Sequence, residues 1–271
     1  MNELQTKEFE LLKIFIDICN KLNLKYYLVC GSALGAAKYS GFIPWDDDVD
    51  VAMPRKDYDV FTSKAPEYLP EDIFLQNYKS DPNFPKIFSK LRNSGTTYIE
   101  SPYKKLNMNH GVFIDVFPLD SYPDKVCEQS DFIKKVRNYN RLLSCALEPI
   151  GSTKARIFRL VCRLMGYHKR TSSILFKYEK FLKSYSSEIT GIYCNFGNYR
   201  GNLEPVPVEL YSEGTTLEFE GISVIVPKNY DKYLRDKYGD YELDPPKEEQ
   251  AGHHYYDAID LTKSYTEYFN N

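Results

Sequence analysis

The sequence predicts an α/β (α+β) protein, a sheet flanked by helices with an additional helical subdomain, and three observations carry that expectation. Short β-rich runs alternate with helical patterns over residues 1–124. Residues 125–190 turn to helical periodicity, and strand signals return within 191–271. The expected organisation is therefore a core over 1–124, a helical subdomain over 125–190, and a C-terminal stretch, 191–271, that completes the core.

Taken in order, Leu4, Leu11, Leu12, Phe15, Ile18, Cys19 and Leu22 fall on one face of a helix over 4–22. YYLVCG (26–31) reads as a strand ending in glycine, and SALGAAKYS as the helix after it. A turn at Gly41–Pro44 leads into WDDDVDVAMP, where Val49, Val51 and Met53 alternate with Asp48, Asp50 and Ala52 as in a half-buried strand. A helix is expected over 55–65, then strands at 73–76, 87–92 and 96–100. HGVFIDVFPLD (110–120) is a strongly apolar strand carrying one acid, Asp115, before the closing Asp120. Pro149, Gly151 and Ser152 separate a first helix from a basic one. Further on, Glu220–Gly221 reads as a hairpin turn within 217–227, and 230–239 as a helix with its stop glycine.

Composition excludes several classes of function. With 271 residues, 42% apolar and 27% charged, the chain is globular rather than disordered. Its 35 basic and 38 acidic residues give a net charge of −3, so no global positive field recruits nucleic acid. The six cysteines lack any C-x-x-C spacing and read as buried thiols of a reducing compartment. Charges at Lys7, Glu8, Lys13 and Asp17 interrupt any signal-like apolar segment, and no run approaches the roughly 20 apolar residues of a membrane span. A cytoplasmic protein is expected, with the inner face of the cell membrane as a further possibility. The 24 tyrosines supply amphipathic rings for stacking or for lining the core.

The chemistry concentrates in Gly31–Ser32, Asp48–Val49–Asp50 and Asp115. Acids on alternate positions of a strand point the same way with Cα atoms about 6 to 7 Å apart, and such packing is costly without cations. Magnesium takes hard oxygen ligands and bridges carboxylates to substrate phosphates, so Asp48, Asp50 and Asp115 are expected to hold one or two Mg2+ ions, with Mn2+ as an alternative. Gly31–Ser32 opens a helix whose free N–H groups can receive a phosphate. Together these parts suit phosphoryl transfer. A D-x-D alone also occurs in solvated turns, and Asp46 and Asp47 read as outer-shell or merely solvated acids.

CGSALGAAKYSGFIPWDDDVDVAMPRKDYDVF, with HGVFIDVFPLD and YDKYLRDKYGDYELDPP downstream, closely resembles the LicD family of phosphocholine transferases. That family is similar in fold to polymerase-β-like nucleotidyltransferases, a mixed sheet flanked by helices, and includes the fukutin-related ribitol-phosphate transferases. The resemblance implies that the three acids bind metal and that a CDP-alcohol, most often CDP-choline, is the donor. It implies a cell-surface glycan acceptor of teichoic acid, capsule or lipooligosaccharide type, with CMP released. Asp115 or a neighbouring acid serves as base. It also points to Lys38, Trp45, Arg55 and His110 at the donor nucleotide or phosphate, and to His253 and His254, which can equally cap a sheet edge.

Three physical readings accompany the resemblance. Lys38, less than two turns past Ser32, either reaches a donor phosphate or is a surface lysine. Trp45, Tyr98, Tyr103, Tyr255 and Tyr256 are candidates for an aromatic cage around quaternary ammonium. The basic segment 154–170 reads first as a core-facing helix with a solvated basic side, and second as a contact with an anionic membrane near a lipid-linked acceptor. The rival functions are nucleotidyl transfer with attack at the α-phosphate of a nucleoside triphosphate, use of another CDP-alcohol such as CDP-ribitol, and a non-catalytic glycan- or nucleotide-binding protein.

Overall fold

A capping box starts the chain: the Asn2 side chain accepts the Gln5 N–H at 2.8 Å while the Gln5 side chain accepts the Asn2 N–H at 3.0 Å. The computed structural model describes residues 1–147, 153–185, 190–197, 204–252 and 254–269. Helix α1 (Glu3–Leu22) then buries the stripe Leu11, Leu12, Phe15, Ile18 and Cys19, as its periodicity predicts.

Next come β1 (Tyr27–Leu28), α2 (Cys30–Tyr39), β2 (Asp50–Pro54), α3 (Arg55–Lys64), β3 (Ile73–Gln76), β4 (Ser89–Asn93), β5 (Thr97–Glu100) and β6 (Val112–Ser121). The sheet runs β1-β2-β6-β4-β3, and β7 (Ile192–Asn195) with β8 (Val206–Pro207) extends it beside the end of β6. Only β2 and β6 pair in parallel among the described strands; the rest are antiparallel. The mixed α/β architecture expected from the sequence is present. All ten residues of β6 are buried, so it forms the spine of the sheet.

The pleat sends alternate residues of β2 and β6 to opposite faces. Val51, Met53, Ile114 and Val116 pack with α1 and α3 residues in one apolar cluster. Ala52, Phe117 and Leu119 join Phe84, Phe88 and Tyr211 in another. Strand β2 is therefore covered on both sides, with Ala52 and Met53 both fully buried, rather than half-buried as its alternation suggests.

Two further expectations are corrected, and a third element, the strand expected at 96–100, is present as β5. The first strand is only two residues long, because α2 already begins at Cys30. The 87–92 run enters the sheet at Ser89. Strand β5 leaves the main sheet and pairs with β11 (Tyr256–Asp260), which brings the C-terminal segment back over the core. The hairpin of β9 (Thr215–Phe219) and β10 (Ile222–Val226) turns at Glu220–Gly221, with φ of 49° and 81°, as expected from the sequence. Helix α7 (Tyr230–Tyr238) ends at Gly239 with φ 73°.

The helical stretch contains α4 (Val126–Leu143), α5 (Thr153–Leu164) and α6 (Thr171–Leu182). Phe132, Val136, Leu175, Tyr178 and Leu182 form a separate apolar cluster with Cys194 and Phe196, and Tyr139 stacks on Tyr178 at 4.8 Å. The breakers Pro149, Gly151 and Ser152 lie outside the described residues. Helix α5 corrects the reading of a core-facing apolar side: Ile157, Leu160, Val161 and Leu164 are exposed while Cys162 is buried. Nor are all six thiols buried, since Cys127 is exposed and Cys30 only half-buried, although all six are free.

Candidate active site

Parallel pairing of β2 with β6 sets Asp50 opposite Asp115, and the Asp115 N–H donates to the Val49 carbonyl at 2.8 Å. The Ser32 hydroxyl accepts the Asp50 N–H at 2.8 Å, so the first turn of α2 fixes the start of β2. Asp48 lies two residues before the start of the strand, in the connection from α2. Asp46, Asp47 and Asp48 each offer a carboxylate oxygen, all within 4.8 Å of one another. Asp50 and Asp115 lie outside that close group but near it: Asp115 acts electrostatically on Asp48 and on Asp50, and Asp48 on Asp50, beside the α2 N-terminus.

The approach is close. A Cβ on Gly31 would stand 2.8 Å from Asp46 Oδ2, so glycine lets the helix end touch that carboxylate. A Cβ on Gly252 would stand 2.4 Å from Asp47 Oδ2, so the C-terminal segment crosses directly over the acids. Asp47 Oδ2 accepts the backbone N–H of His254 at 3.1 Å and the Tyr98 hydroxyl at 3.4 Å. The His254 ring lies 3.4 Å from Asp47 Oδ1 and 3.7 Å from Asp48 Oδ2.

Burial and mutual repulsion govern the charges. Burial pushes Asp46 up to about 8, with Asp48 and Asp47 adding to the shift. Burial likewise raises Asp48 to about 6, opposed by His254 and reinforced by Asp115. Asp50 is raised well above the carboxylate range by burial, Asp48 and Asp115. For His254 desolvation is the largest influence and lowers its pKa, but the hydrogen bond to Asp47 and the charge of Asp48 outweigh it and raise the ring overall.

Lys90 on β4 is the buried counter-charge. It stands opposite Asp115 in register, 2.9 Å from its Oδ1 and 3.4 Å from Glu100 Oε1. The pairing with Asp115 is ionic and poorly aligned, leaving Oδ1 buried without a hydrogen-bond donor. Arg92 holds the other oxygen of Glu100 at 3.1 Å. Despite its desolvation, Glu100 is held down to about 2 by Lys90 and Arg92.

One lysine and one histidine do not balance Asp46, Asp47, Asp48, Asp50 and Asp115. An acceptor oxygen without a donor, and several hard carboxylates raised by one another, fit a divalent cation. Among the described residues Asp46, Asp47 and Asp48 are the three whose ligand oxygens come within 4.8 Å of one another, with Asp50 and Asp115 adjoining them.

Several expected donor contacts are engaged elsewhere. Arg55 grips the buried Asp120 through Nε at 2.7 Å and Nη2 at 2.6 Å, a bidentate pair near the far end of β6. Lys38 sits in the last turn of α2, about 9 Å along the helix from Ser32, with Nζ 2.5 Å from Asp244 and 3.1 Å from the Tyr241 carbonyl. His110 is fully buried, its Nε2 at 2.9 Å from the Leu106 carbonyl, and burial lowers its pKa. Trp45 is half-buried and packs edge-on to Tyr39.

The five-ring cage is not gathered as one group. Tyr98 pairs with Tyr256 and His254, Trp45 with Tyr39, and buried Tyr103 lies under Lys86. Tyr255 is 85% exposed. His253 lies outside the described residues.

Lys90, Arg92, Glu100 and Glu8 are the participants that sequence reasoning missed. Glu8, on α1, is 1% exposed with Oε2 unpartnered, and burial together with Asp48, Asp47 and Asp46 raises its pKa. The available signal was the charged pair Lys90 and Arg92 on alternate positions of a strand, flanking Leu91, a pattern that can mark buried counter-ions.

Residues 23–156 match the LicD/FKTN/FKRP nucleotidyltransferase domain. Over 96% of its length, the chain is 27% identical to the lipopolysaccharide cholinephosphotransferase LicD of Haemophilus influenzae, of which it covers 98%. Shorter matches, 33% identical over 60 residues and 37% over 49, reach uncharacterized proteins of Rickettsia typhi and Rickettsia prowazekii; they cover 22% and 18% of this chain, and 19% and 18% of those proteins. The family match falls on the segment that carries β2, β6 and all five aspartates of the site, and the chain belongs to the LicD family.

Proposed function

We propose that this protein transfers phosphocholine from CDP-choline to a hydroxyl of a cell-surface glycan and releases CMP. The observation that carries the reading is the near full-length similarity to a lipopolysaccharide cholinephosphotransferase. The carboxylates beside a helix N-terminus suit the same chemistry, in a mixed sheet consistent with a nucleotidyltransferase arrangement.

In this reading Asp48, Asp50 and Asp115 hold Mg2+, which offsets the negative charge of the diphosphate. The first turn of α2 presents N–H groups to the donor, and Ser32 keeps that turn in register with Asp50. The acceptor hydroxyl oxygen attacks the phosphorus that bears choline, the bond from that phosphorus to the CMP oxygen breaks, and the hydroxyl proton passes to a carboxylate of the cluster. Lys90 positions Asp115 for this work. The C-terminal segment, fixed by His254 and Gly252 on Asp47, covers the acids and limits access of water.

The direct test incubates the purified protein with CDP-choline, Mg2+ and an isolated surface glycan, and follows the products by phosphorus NMR and chromatography. CMP with glycan-bound phosphocholine is the expected result. Pyrophosphate released from a nucleoside triphosphate would instead assign nucleotidyl transfer, and CMP formed only from CDP-ribitol would change the donor.

A further inference from the structure

The sequence from 149 to 178 holds Lys154, Arg156, Arg159, Arg163, Lys169, Arg170 and Lys177 and no acidic residue, in a chain whose net charge is −3. Within it α5 is amphipathic, with Ile157, Leu160, Val161 and Leu164 spaced three and four residues apart on one stripe. An ordinary surface helix turns that stripe inward. Here it faces outward: Ile157 is 58% exposed, Leu160 59%, Val161 46% and Leu164 80%, and Met165 beyond the helix end is 60% exposed.

The inward side of α5 is occupied by other residues. Cys162 is buried, Phe158 lies under the Arg141 guanidinium at 3.9 Å, and Arg163 Nη2 donates to the Leu147 carbonyl at 3.1 Å. Those contacts fix the helix with its apolar stripe in solvent. Arg156, one turn before Leu160, flanks the stripe, and His168, Lys169 and Arg170 follow it on an exposed turn. Beside them opens a cleft of about 480 Å³, lined among others by Lys105, Arg163, His168 and Lys169.

The geometry points to an anionic lipid surface as the partner of this face. The stripe enters the boundary between headgroups and acyl chains, the basic flank meets lipid phosphates, and the cleft beside it carries basic side chains that attract a phosphate headgroup. A bilayer explains both features at once, since an apolar protein partner would account for the stripe but not for an unbroken run of positive charge. No described helix is long and apolar enough to cross a membrane, so the contact is peripheral. This inference rests on exposure and charge alone, and it stands or falls separately from the phosphocholine reading.

Flotation of the intact protein with phosphatidylglycerol vesicles, against phosphatidylcholine vesicles as control, tests it. The expected result is recovery with the anionic vesicles only, reduced by high salt. Leu160→Asp with Leu164→Asp should lower partitioning at least about tenfold, while circular dichroism and CMP release on a soluble acceptor stay unchanged. As an independent variant, Lys169→Ala with Arg170→Ala should lower it about fivefold for each charge removed. Equal recovery of wild type and both variants, or no recovery at low salt, overturns the proposal. So does a dimer in size-exclusion chromatography that the double aspartate variant splits without any lipid binding, which would assign the face to a second copy of the chain.

Discussion

The acid-lined face of the sheet and helix α5 invert the same rule in opposite directions. At the first, Glu8, Asp46, Lys90, Arg92, Glu100 and Asp115 are buried in the interior. At the second, five large apolar side chains stand in water. Neither arrangement is favoured by folding alone, because buried carboxylates raise one another and exposed aliphatic surface gains nothing from the core. Each is therefore a place where stability has been given up, for the cation proposed in one case and for the apolar, anionic surface proposed in the other. Elsewhere the usual rule holds, as in the packed cluster around Phe132 and Tyr178.

The largest effect should come from neutralising the centre of the acid face. Asp50→Asn keeps the size of the side chain and removes one metal-binding oxygen charge. CMP release should fall by about 1000-fold or more, on the order of losing a preorganised electrostatic contact to the transition state. The same change relieves repulsion from Asp48 and Asp115, so the metal-free protein should unfold at an equal or higher temperature. A large loss of stability alongside the loss of activity would mean that Asp50 is structural. The corresponding loss at α5, in Leu160→Asp with Leu164→Asp, should spare turnover on soluble acceptor.

Much of this contrast was legible in the residues, and the remainder has physical reasons for being hidden. The stripe of α1, the hairpin turn at Glu220–Gly221 and the stop at Gly239 follow from local periodicity and turn chemistry, which act within a few residues. The pairing of Asp50 with Asp115 is a register between strands 65 positions apart, suggested by their acids and apolar context but fixed only by the parallel pairing. The partnership of β5 with β11 carries His254 to Asp47, a contact 207 positions apart, and leaves no local trace. Arg55 and His110 looked available for a ligand because their partners, Asp120 and the Leu106 carbonyl, are specified by packing. Periodicity found the amphipathic character of α5 but not which side faces the protein, since both sides carry groups able to pack.

Removing the counter-charge of the acid face should rank next. Lys90→Met leaves Asp115 and Glu100 buried without their shared ammonium, and should lower unfolding free energy by about 3 to 5 kcal/mol in urea titrations. If the change is neutral, the pair is balanced by a group other than Lys90.

Cation binding should follow, with a sign set by pH. Asp46 and Asp48 are raised in the folded state to about 8 and about 6, so their contribution to stability is full below their unfolded value and is lost as pH rises through the folded values. Glu100, lowered to about 2, acts oppositely: its contribution is present above the unfolded value and disappears only as pH falls toward 2. Metal-free protein should thus lose stability between about pH 4 and 8. Mg2+ should reverse that loss, adding about 2.7 kcal/mol at a hundredfold excess over Kd, and its binding at pH 7 should release protons that calorimetry in two buffers can count. A melting temperature indifferent to Mg2+ across that range would remove the cation from the acid face.

The smallest effect should come from α5, and its smallness is the informative part. Substituting two exposed leucines by aspartate removes no buried contact, so Leu160→Asp with Leu164→Asp should change unfolding free energy by no more than about 0.5 kcal/mol. Phe132→Ala, in the buried cluster of the neighbouring helices, should cost about 3 to 5 kcal/mol in the same urea titration. If the leucine pair costs as much as the phenylalanine, the stripe is packed against protein in solution, and the outward face of α5 belongs to the core after all. If it costs nothing while vesicle binding disappears, those side chains have been kept apolar for a surface outside the folded chain, just as the acids are packed together, at a cost to stability, for the cation proposed there.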